Sequence, residues 1–374
     1  MAEASLSVAT GGAAGAEARR TAVTLTEVAA RAGVSRATTA RALGGYGSVS
    51  DSARRLVLAA AAELKYRPNM VARSTRTGTT SIVGIVVADI GSPFFGRSTR
   101  SISDAARAAG LEAVVVNTDE EIEVERAAVG LLLRQRVAGI VVAPASRSDG
   151  QHLTEAQAAG APVVLLDRRV SGVAADRVYS DNESAATAVM AELISRGHRR
   201  IAYVSSAAGP EGASPGHYPS VDDLVTSAGD RIRAYLRSLS AAGVGTPDAY
   251  LRLCPFGEEA AHQATAQLLA LPERPTAVFA SDGVIALGVL RAVHDAGLEI
   301  PGDISVVAGD DPTWSRVTTP TLSAVAQPVH ELGQTAMNLL LERIADPERA
   351  IEDRVLPAEF MPRGSIGPAS IARP

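Results

Sequence analysis

From residue 81 onward the chain alternates continuous apolar runs with stretches of helical period. The strand-like runs are SIVGIVVAD (81–89), LEAVVVNTD (111–119), AGIVVAPA (138–145), APVVLLD (161–167), RRIAYVSS (199–206), AYLRLCPF (249–256), PTAVFASD (275–282) and DISVVAGDD (303–311). Between most of them lie amphipathic segments such as SDAARAAG, ESAATAVMAELISRG and GVIALGVLRAVHDAG. Continuous β-branched runs predict strands buried on both faces, hence parallel sheets covered by helices. So many βα units exceed one comfortable sheet. Two doubly wound subdomains are expected, with a ligand cleft at the carboxyl ends of their strands.

The pattern before residue 67 is different: short helical segments and no strands. Thr24-Leu25-Thr26-Glu27 fits a capping box, in which the Thr hydroxyl and Glu carboxylate satisfy each other's orphan amides. A first helix runs to about Ala32 and Gly33 breaks it. Ser35 caps a second, Arg36 to Leu43, which Gly44-Gly45 ends. Ser50 caps a third, Asp51 to Leu64, with Leu56, Val57, Ala60 and Leu64 expected inside. One capping box recurs by chance, but helix, glycine turn and helix in this order is the pattern of a helix-turn-helix.

Charge separates the two parts. Residues 24–76 hold nine Lys/Arg and three acids, a net +6; the first 23 residues balance, so the remainder carries −11 of the chain's −5. A basic head on an acidic body points to phosphate-backbone binding confined to the head; the ordinary alternative is a solvated basic face. At 374 residues the chain has room for two or three domains. The lone Cys254 suits a reducing cytoplasm, and no apolar run approaches a membrane span. Residues 1–22 lack the basic start and apolar stretch of a signal peptide and read as a disordered tail. Six scattered His and one Cys show no ligand or triad spacing, so neither an enzyme nor a metal or other cofactor is expected.

Ten motifs in register carry a family resemblance. They begin with TLTEVAARAGVSRATTARAL, ELKYRPN and ADIGSPFF, and continue through NTDEE, LLDRRV, SDNESAA, GHRRIAYVS, PTAVFASDGVIALG, DISVVAGDD and TPTLSAVAQP. From about Val23 to Gly364 the chain resembles the lactose-repressor (LacI/GalR) family of bacterial transcription regulators. The resemblance implies an all-α helix-turn-helix head (23–67) and a hinge helix with linker (68–80). These join an α/β two-lobed sensor like periplasmic binding proteins (81–365), built on two doubly wound parallel sheets and followed by a tail (366–374). It implies three chain crossings between lobes, one lobe about 81–180 plus 323–346, the other 181–322 plus 347–365 with a last strand in RVLPAEFMPR. It also implies a homodimer on a near-palindromic operator, a small-molecule effector, most often a carbohydrate, and no membrane partner. A transport receptor would share the sensor fold but not the head.

For DNA, the family's base-contacting positions map onto Arg36, Ala37 and Arg41, which helical spacing also puts on the outward face. Arginine can bond the guanine edge in the major groove; Ala37 offers a methyl group. Thr24, Ser35, Thr38 and Ser50 are placed for phosphates, and equally for helix caps, two readings that are compatible. Where the family has Val-Ser this chain has Thr39-Ala40. In the hinge, Asn69 caps, and Asn69, Ala72, Arg73, Thr75 and Arg76 are expected at the minor groove. Thr75 stands where the family presents a leucine wedge, and a threonine is a poor wedge.

For the effector, the matching motifs give Ser92, Phe94, Phe95, Asp167, Asp181, Asn182, Arg231, Asp282 and Asp310. Carboxylates, amides and guanidinium groups at strand ends suit a polyhydroxyl ligand, whereas an Asp at a strand end also caps the next helix. Asp282-Gly283 replaces the family's usual Asn-Asp. The Gly/Ser/Pro-rich stretch 207–229 reads as a disordered insertion or a lid.

Overall fold

The structure is a computed structural model and describes residues 23–44, 49–64, 80–206, 224–245 and 248–369. The chain divides into two compact units, residues 1–76 and 77–374.

The first unit contains α1 (Leu25–Ala32), α2 (Arg36–Gly44) and α3 (Asp51–Glu63), within one residue of the expected bounds. The capping box is formed: the Glu27 amide donates to the Thr24 hydroxyl at 3.3 Å, and the Thr24 amide donates to the Glu27 carboxylate at 2.6 Å. Gly33 turns the chain at φ 68°, a left-handed conformation that glycine adopts without a Cβ clash. Val28, Ala32, Ala42, Val57, Ala60 and Ala61 form the core. Leu56 corrects the expectation: it is 55% exposed. The buried stripe of α3 is 57-60-61, and residue 56 lies a 100° step off it. Thr39 is buried, and its hydroxyl donates to the Ser35 carbonyl at 3.0 Å, which satisfies the polar group the sequence puts at the core.

The second unit holds two sheets. Its elements run β1 (Ile82–Val87), α4 (Pro93–Ala108), β2 (Glu112–Asn117), α5 (Ile122–Arg134), β3 (Gly139–Val142), α6 (Gln151–Ala158), β4 (Val163–Leu166), β5 (Asp176–Ser180), α7 (Asn182–Ser195), β6 (Ile201–Ser205), α8 (Thr226–Ala241), β7 (Leu251–Leu253), α9 (Glu258–Leu269), β8 (Ala277–Ala280), α10 (Gly283–Asp295), β9 (Ser305–Ala308), β10 (Ser323–Ala326), α11 (Val329–Ala345), β11 (Asp353–Leu356) and β12 (Glu359–Met361). The first sheet is parallel, in order β11-β5-β4-β3-β1-β2. The second, β12-β10-β9-β8-β6-β7, is parallel except for β12. Each sheet is covered on both faces. Along β1, Val83, Ile85 and Val87 pack with α4 and α11 on one side, and Val86 packs with α5 and α6 on the other. In the second sheet Ile201 and Tyr203 face one core and Ala202 and Val204 the other.

Strand order reverses between β1 and β3 and again between β6 and β8. These are the switch points at which loops diverge and a crevice opens beyond the strand ends.

Three expectations change. β2 is an edge strand, and Val114 and Val115 are exposed although their run reads as doubly buried. β10 belongs to the second sheet, so the crossing expected at 323 falls after Ala326, at Gln327-Pro328. The segment RVLPAEFMPR is two strands: β11 pairs with β5 in the first sheet and β12 with β10 in the second. Pro357 lies between them; it has no N–H to continue the ladder, and there the chain crosses. The other crossing lies between β5 and α7, which gives the three expected passages. Within 207–229, residues 226–229 are the first turn of α8, not a loop, and 207–223 lie outside the described residues.

Candidate functional site

In the head, the three residues expected to contact bases lie on α2. Arg36 and Ala37 are exposed, and Arg41 lies back along the helix with its Nε donating to the Ala37 carbonyl at 3.3 Å. The hydroxyls expected near phosphates cap the helices. Ser35 accepts the Thr38 amide at 3.0 Å and shares a 2.9 Å bond with the Thr38 hydroxyl. Ser50 accepts the Ala53 amide at 3.3 Å. An ion pair the sequence reading missed, Arg31 to Glu63 at 2.6 Å, ties α1 to α3. Asn69, Ala72, Arg73, Thr75 and Arg76 lie outside the described residues.

In the second unit a cavity of about 700 Å³ lies at the carboxyl ends of both sheets. Ser92, Phe94, Phe95, Asp167, Arg231, Asp282 and Asp310 all line it. Two expected residues do not. Asp181 caps α7, accepting the Ser184 amide at 3.0 Å. Asn182 is buried behind Arg231 and accepts its Nε at 3.0 Å, so it positions the guanidinium rather than facing the cavity.

Gly309 sets the approach of β9 to β8: a Cβ there would fall 2.0 Å from the Ser281 carbonyl oxygen. Asp310 follows directly. Its carboxylate accepts from the Gln327 amide and, at 3.4 Å, from the Gly283 amide. Burial pushes its pKa up to about 6, against the pull of Arg231. Asp282 is fully engaged: one oxygen accepts the Val284 and Ile285 amides at 2.9 Å, the other the hydroxyls of Ser206 and Ser281 at 2.9 and 2.8 Å. It caps α10 while lining the cavity.

Asp167 is 7% exposed and adopts φ 64°. Burial raises its pKa, opposed by Arg168, Arg231 and the Ser227 hydroxyl. Its Oδ1 has no hydrogen-bond partner among the described residues. Asp119 and Glu120, also at the cavity, take φ of 51° and 65°. Left-handed backbone at a non-glycine residue costs about 1–3 kcal/mol and concentrates at binding sites.

Several lining residues were not read from the sequence: Asp89, Glu120, Arg168, Phe256 and Gln327 among them. Arg168 donates to both Glu120 oxygens at 2.6 and 2.7 Å. Burial works most strongly against its charge, but Glu120, Asp167 and Glu125 together outweigh it and its pKa is raised. Only its place beside Asp167 in LLDRRV could have signalled it. Cys254 also lines the cavity, but burial, with Asp282 nearby, pushes its thiol up to about 12, which leaves it protonated and unreactive. Among the described residues no His/Cys/Asp/Glu group could hold a metal ion, and no helix is long and apolar enough to cross a membrane.

Residues 24–69 match the family model for bacterial regulatory proteins of the lacI family, and 190–366 match a periplasmic binding protein-like domain. The chain is 30% identical to catabolite control protein A of Priestia megaterium, over 85% of this chain and 91% of that protein. It superposes on the lac repressor dimer bound to operator and the anti-inducer ONPF with a TM-score of 0.78 at 27% identity, covering 92% of this chain and 99% of that one. It superposes on the regulator CelR in complex with cellobiose with a TM-score of 0.66 at 30% identity, with the same coverage.

Proposed function

The chain belongs to the lacI family of bacterial regulatory proteins, and from that premise we propose that it is a homodimeric transcriptional repressor whose grip on a near-palindromic operator is set by a carbohydrate held in the cavity. The observation that carries this reading is the pairing, in one chain, of a basic helix-turn-helix unit with a two-sheet unit whose strand ends enclose a polar cavity of about 700 Å³.

In the head, Arg36 and Arg41 read guanine edges and Ala37 packs on a thymine methyl. Thr24, Ser35, Thr38 and Ser50 set the register on phosphates through the amides they cap. The hinge residues Asn69, Ala72, Arg73, Thr75 and Arg76 follow the minor groove. In the cavity, Asp167 and Asp310 accept from ligand hydroxyls and Arg231 donates. Phe94 supplies an apolar face; one face of Phe95 is already covered by Arg168, 5.5 Å from the ring centroid. Asp181 and Asn182 act behind this shell. A carbohydrate agrees with the cellobiose of the CelR complex and with the donor and acceptor groups here. The exposed Val114 and Val115 on edge strand β2 support pairing of two copies, since an open apolar edge calls for cover.

The test is a gel shift on genomic fragments with purified protein, with and without candidate sugars. Specific retention that a sugar alters is expected. Binding to all fragments alike, unaltered by any sugar, would contradict the reading.

A further inference from the structure

We infer that the cavity selects an uncharged or cationic polyol and rejects sugar phosphates and sugar acids. The inference rests on the cavity being the effector site and names the charge class of its ligand.

Charge is the first ground. Among the described lining residues are six carboxylates, Asp89, Asp119, Glu120, Asp167, Asp282 and Asp310, against the guanidinium groups of Arg147, Arg168 and Arg231. Arg168 is committed to Glu120 by two bonds and also donates to the Pro144 carbonyl at 3.1 Å. Arg231 donates to Asn182 and to the Ser281 carbonyl at 3.3 Å, and its charge is shared between Asp167 and Asp310. An arriving anion meets a surplus of negative charge inside low-dielectric walls.

The second ground is independent. Asp167 is more than nine-tenths buried, lines the cavity, and its Oδ1 has no partner among the described residues; Oε1 of Gln327 is likewise unpaired. Nε of Arg168, also in the lining, is unpaired too, so two orphans accept and one donates, and a complementary ligand must bring donors together with an acceptor, as a hydroxyl does. Hydroxyl and ammonium groups donate; phosphate and carboxylate oxygens only accept.

The third ground is partial: at α10 and in the turn before α4 the amides which could cradle an anion are already used, although α4 and α8 carry no side-chain cap of their own. Helix N-termini and their preceding turns are ready anion sites. At α10 the amides of Gly283, Val284 and Ile285 go to Asp310 and Asp282. Before α4, Ile90 donates to Asn117 at 2.6 Å and Gly91 to Asp89 at 2.8 Å, and the helix opens on Pro93, which has no N–H. The protein's own side chains fill these positions.

The experiment is equilibrium dialysis of the full-length protein, read by mass spectrometry. The dialysate is an equimolar mixture of glucose, glucosamine, glucose 6-phosphate and glucuronate, with the matching galactose set and ribose with ribose 5-phosphate. At least one neutral or amino sugar is expected to be retained, with its phosphate or acid counterpart weaker by about 10-fold or more. Asp167→Asn is expected to weaken the retained sugar by roughly 10-fold, and Glu120→Gln, which frees Arg168, to narrow the discrimination against phosphate. Retention of a phosphate or acid more tightly than its neutral parent overturns the inference. If Arg231→Ala or, should that variant not fold, Ser227→Ala abolishes that retention, the cavity is still the effector site and only its charge class is wrong. If neither changes it, or if no sugar of any form is retained, the effector reading falls as well.

Discussion

Asp310 concentrates the physics of the cavity in one side chain. Burial raises its pKa from 3.8 to about 6 in the folded protein. A raised carboxylate contributes stability that is fully present below the unfolded value and lost as pH rises through the folded one. Above pH 6 the ionised group therefore opposes folding. Asp310→Asn should stabilise the ligand-free protein at pH 8, by on the order of 1–2 kcal/mol, and leave it unchanged near pH 3. Urea unfolding at both pH values checks this; equal stability at pH 8 would show that Arg231 and Gln327 fully compensate the charge. On the head, Arg41→Ala should cost about 1–3 kcal/mol on a cognate operator and little on random DNA. Competition binding separates the two, and equal losses would make Arg41 a phosphate contact. Both residues were singled out because chemistry and position coincide: an acid at the end of β9, an arginine on α2. Asp181 and Asp282 show the limit. Each ends a strand or crossing and precedes a helix, so one sequence signal serves both a cap and a ligand contact, and only the bonds distinguish them.

Among the elements, the start of α8 joins the two lobes. The Arg169 amide donates to the Thr226 hydroxyl at 2.9 Å, and the Arg169 guanidinium bonds Asp230 at 2.7 Å. Asp230→Asn should loosen this latch and speed hydrogen exchange in the first turns of α8, by an opening free energy lowered on the order of 1–2 kcal/mol. Unchanged exchange there would mean the lobes are held elsewhere. The latch could not be read from sequence, because Arg169 and Asp230 are far apart along the chain and a glycine-rich stretch precedes Asp230. The short strands were hard to read for a local reason. β5 is mostly polar, with Asp176 and Ser180 on its buried side, and β10 is four residues of small side chains. The long β-branched runs, by contrast, announced β1, β3, β4, β8 and β9. In the hinge, Thr75 has one methyl and one hydroxyl where a wedge must fill an opened base step. Thr75→Leu should raise both operator affinity and bend angle, measured by fluorescence transfer across the operator; a sharp bend in the wild type that the substitution leaves alone would assign the wedge elsewhere.

At the scale of the molecule, self-association should give a dimer. Light scattering at micromolar concentration checks this, and a stable tetramer would contradict it. The two-unit organisation was legible from the change of hydrophobic period and of charge near residue 76, because a helical head and a βα sensor need different patterns. The lobe boundaries were less so, since a chain crossing leaves only a proline or a polar residue, as at Gln327-Pro328 and Pro357. The central claim is that cavity and head share one free energy. Coupling is reciprocal and typically spans about 5–150-fold in affinity. The direct measurement is fluorescence anisotropy of a cognate operator titrated with full-length protein, with and without a saturating sugar known to be retained. Operator affinity should shift by a factor in that range in the wild type. Arg231→Ala should keep the sugar-free affinity and lose the shift. An operator affinity that stays the same while the sugar is bound would contradict the account.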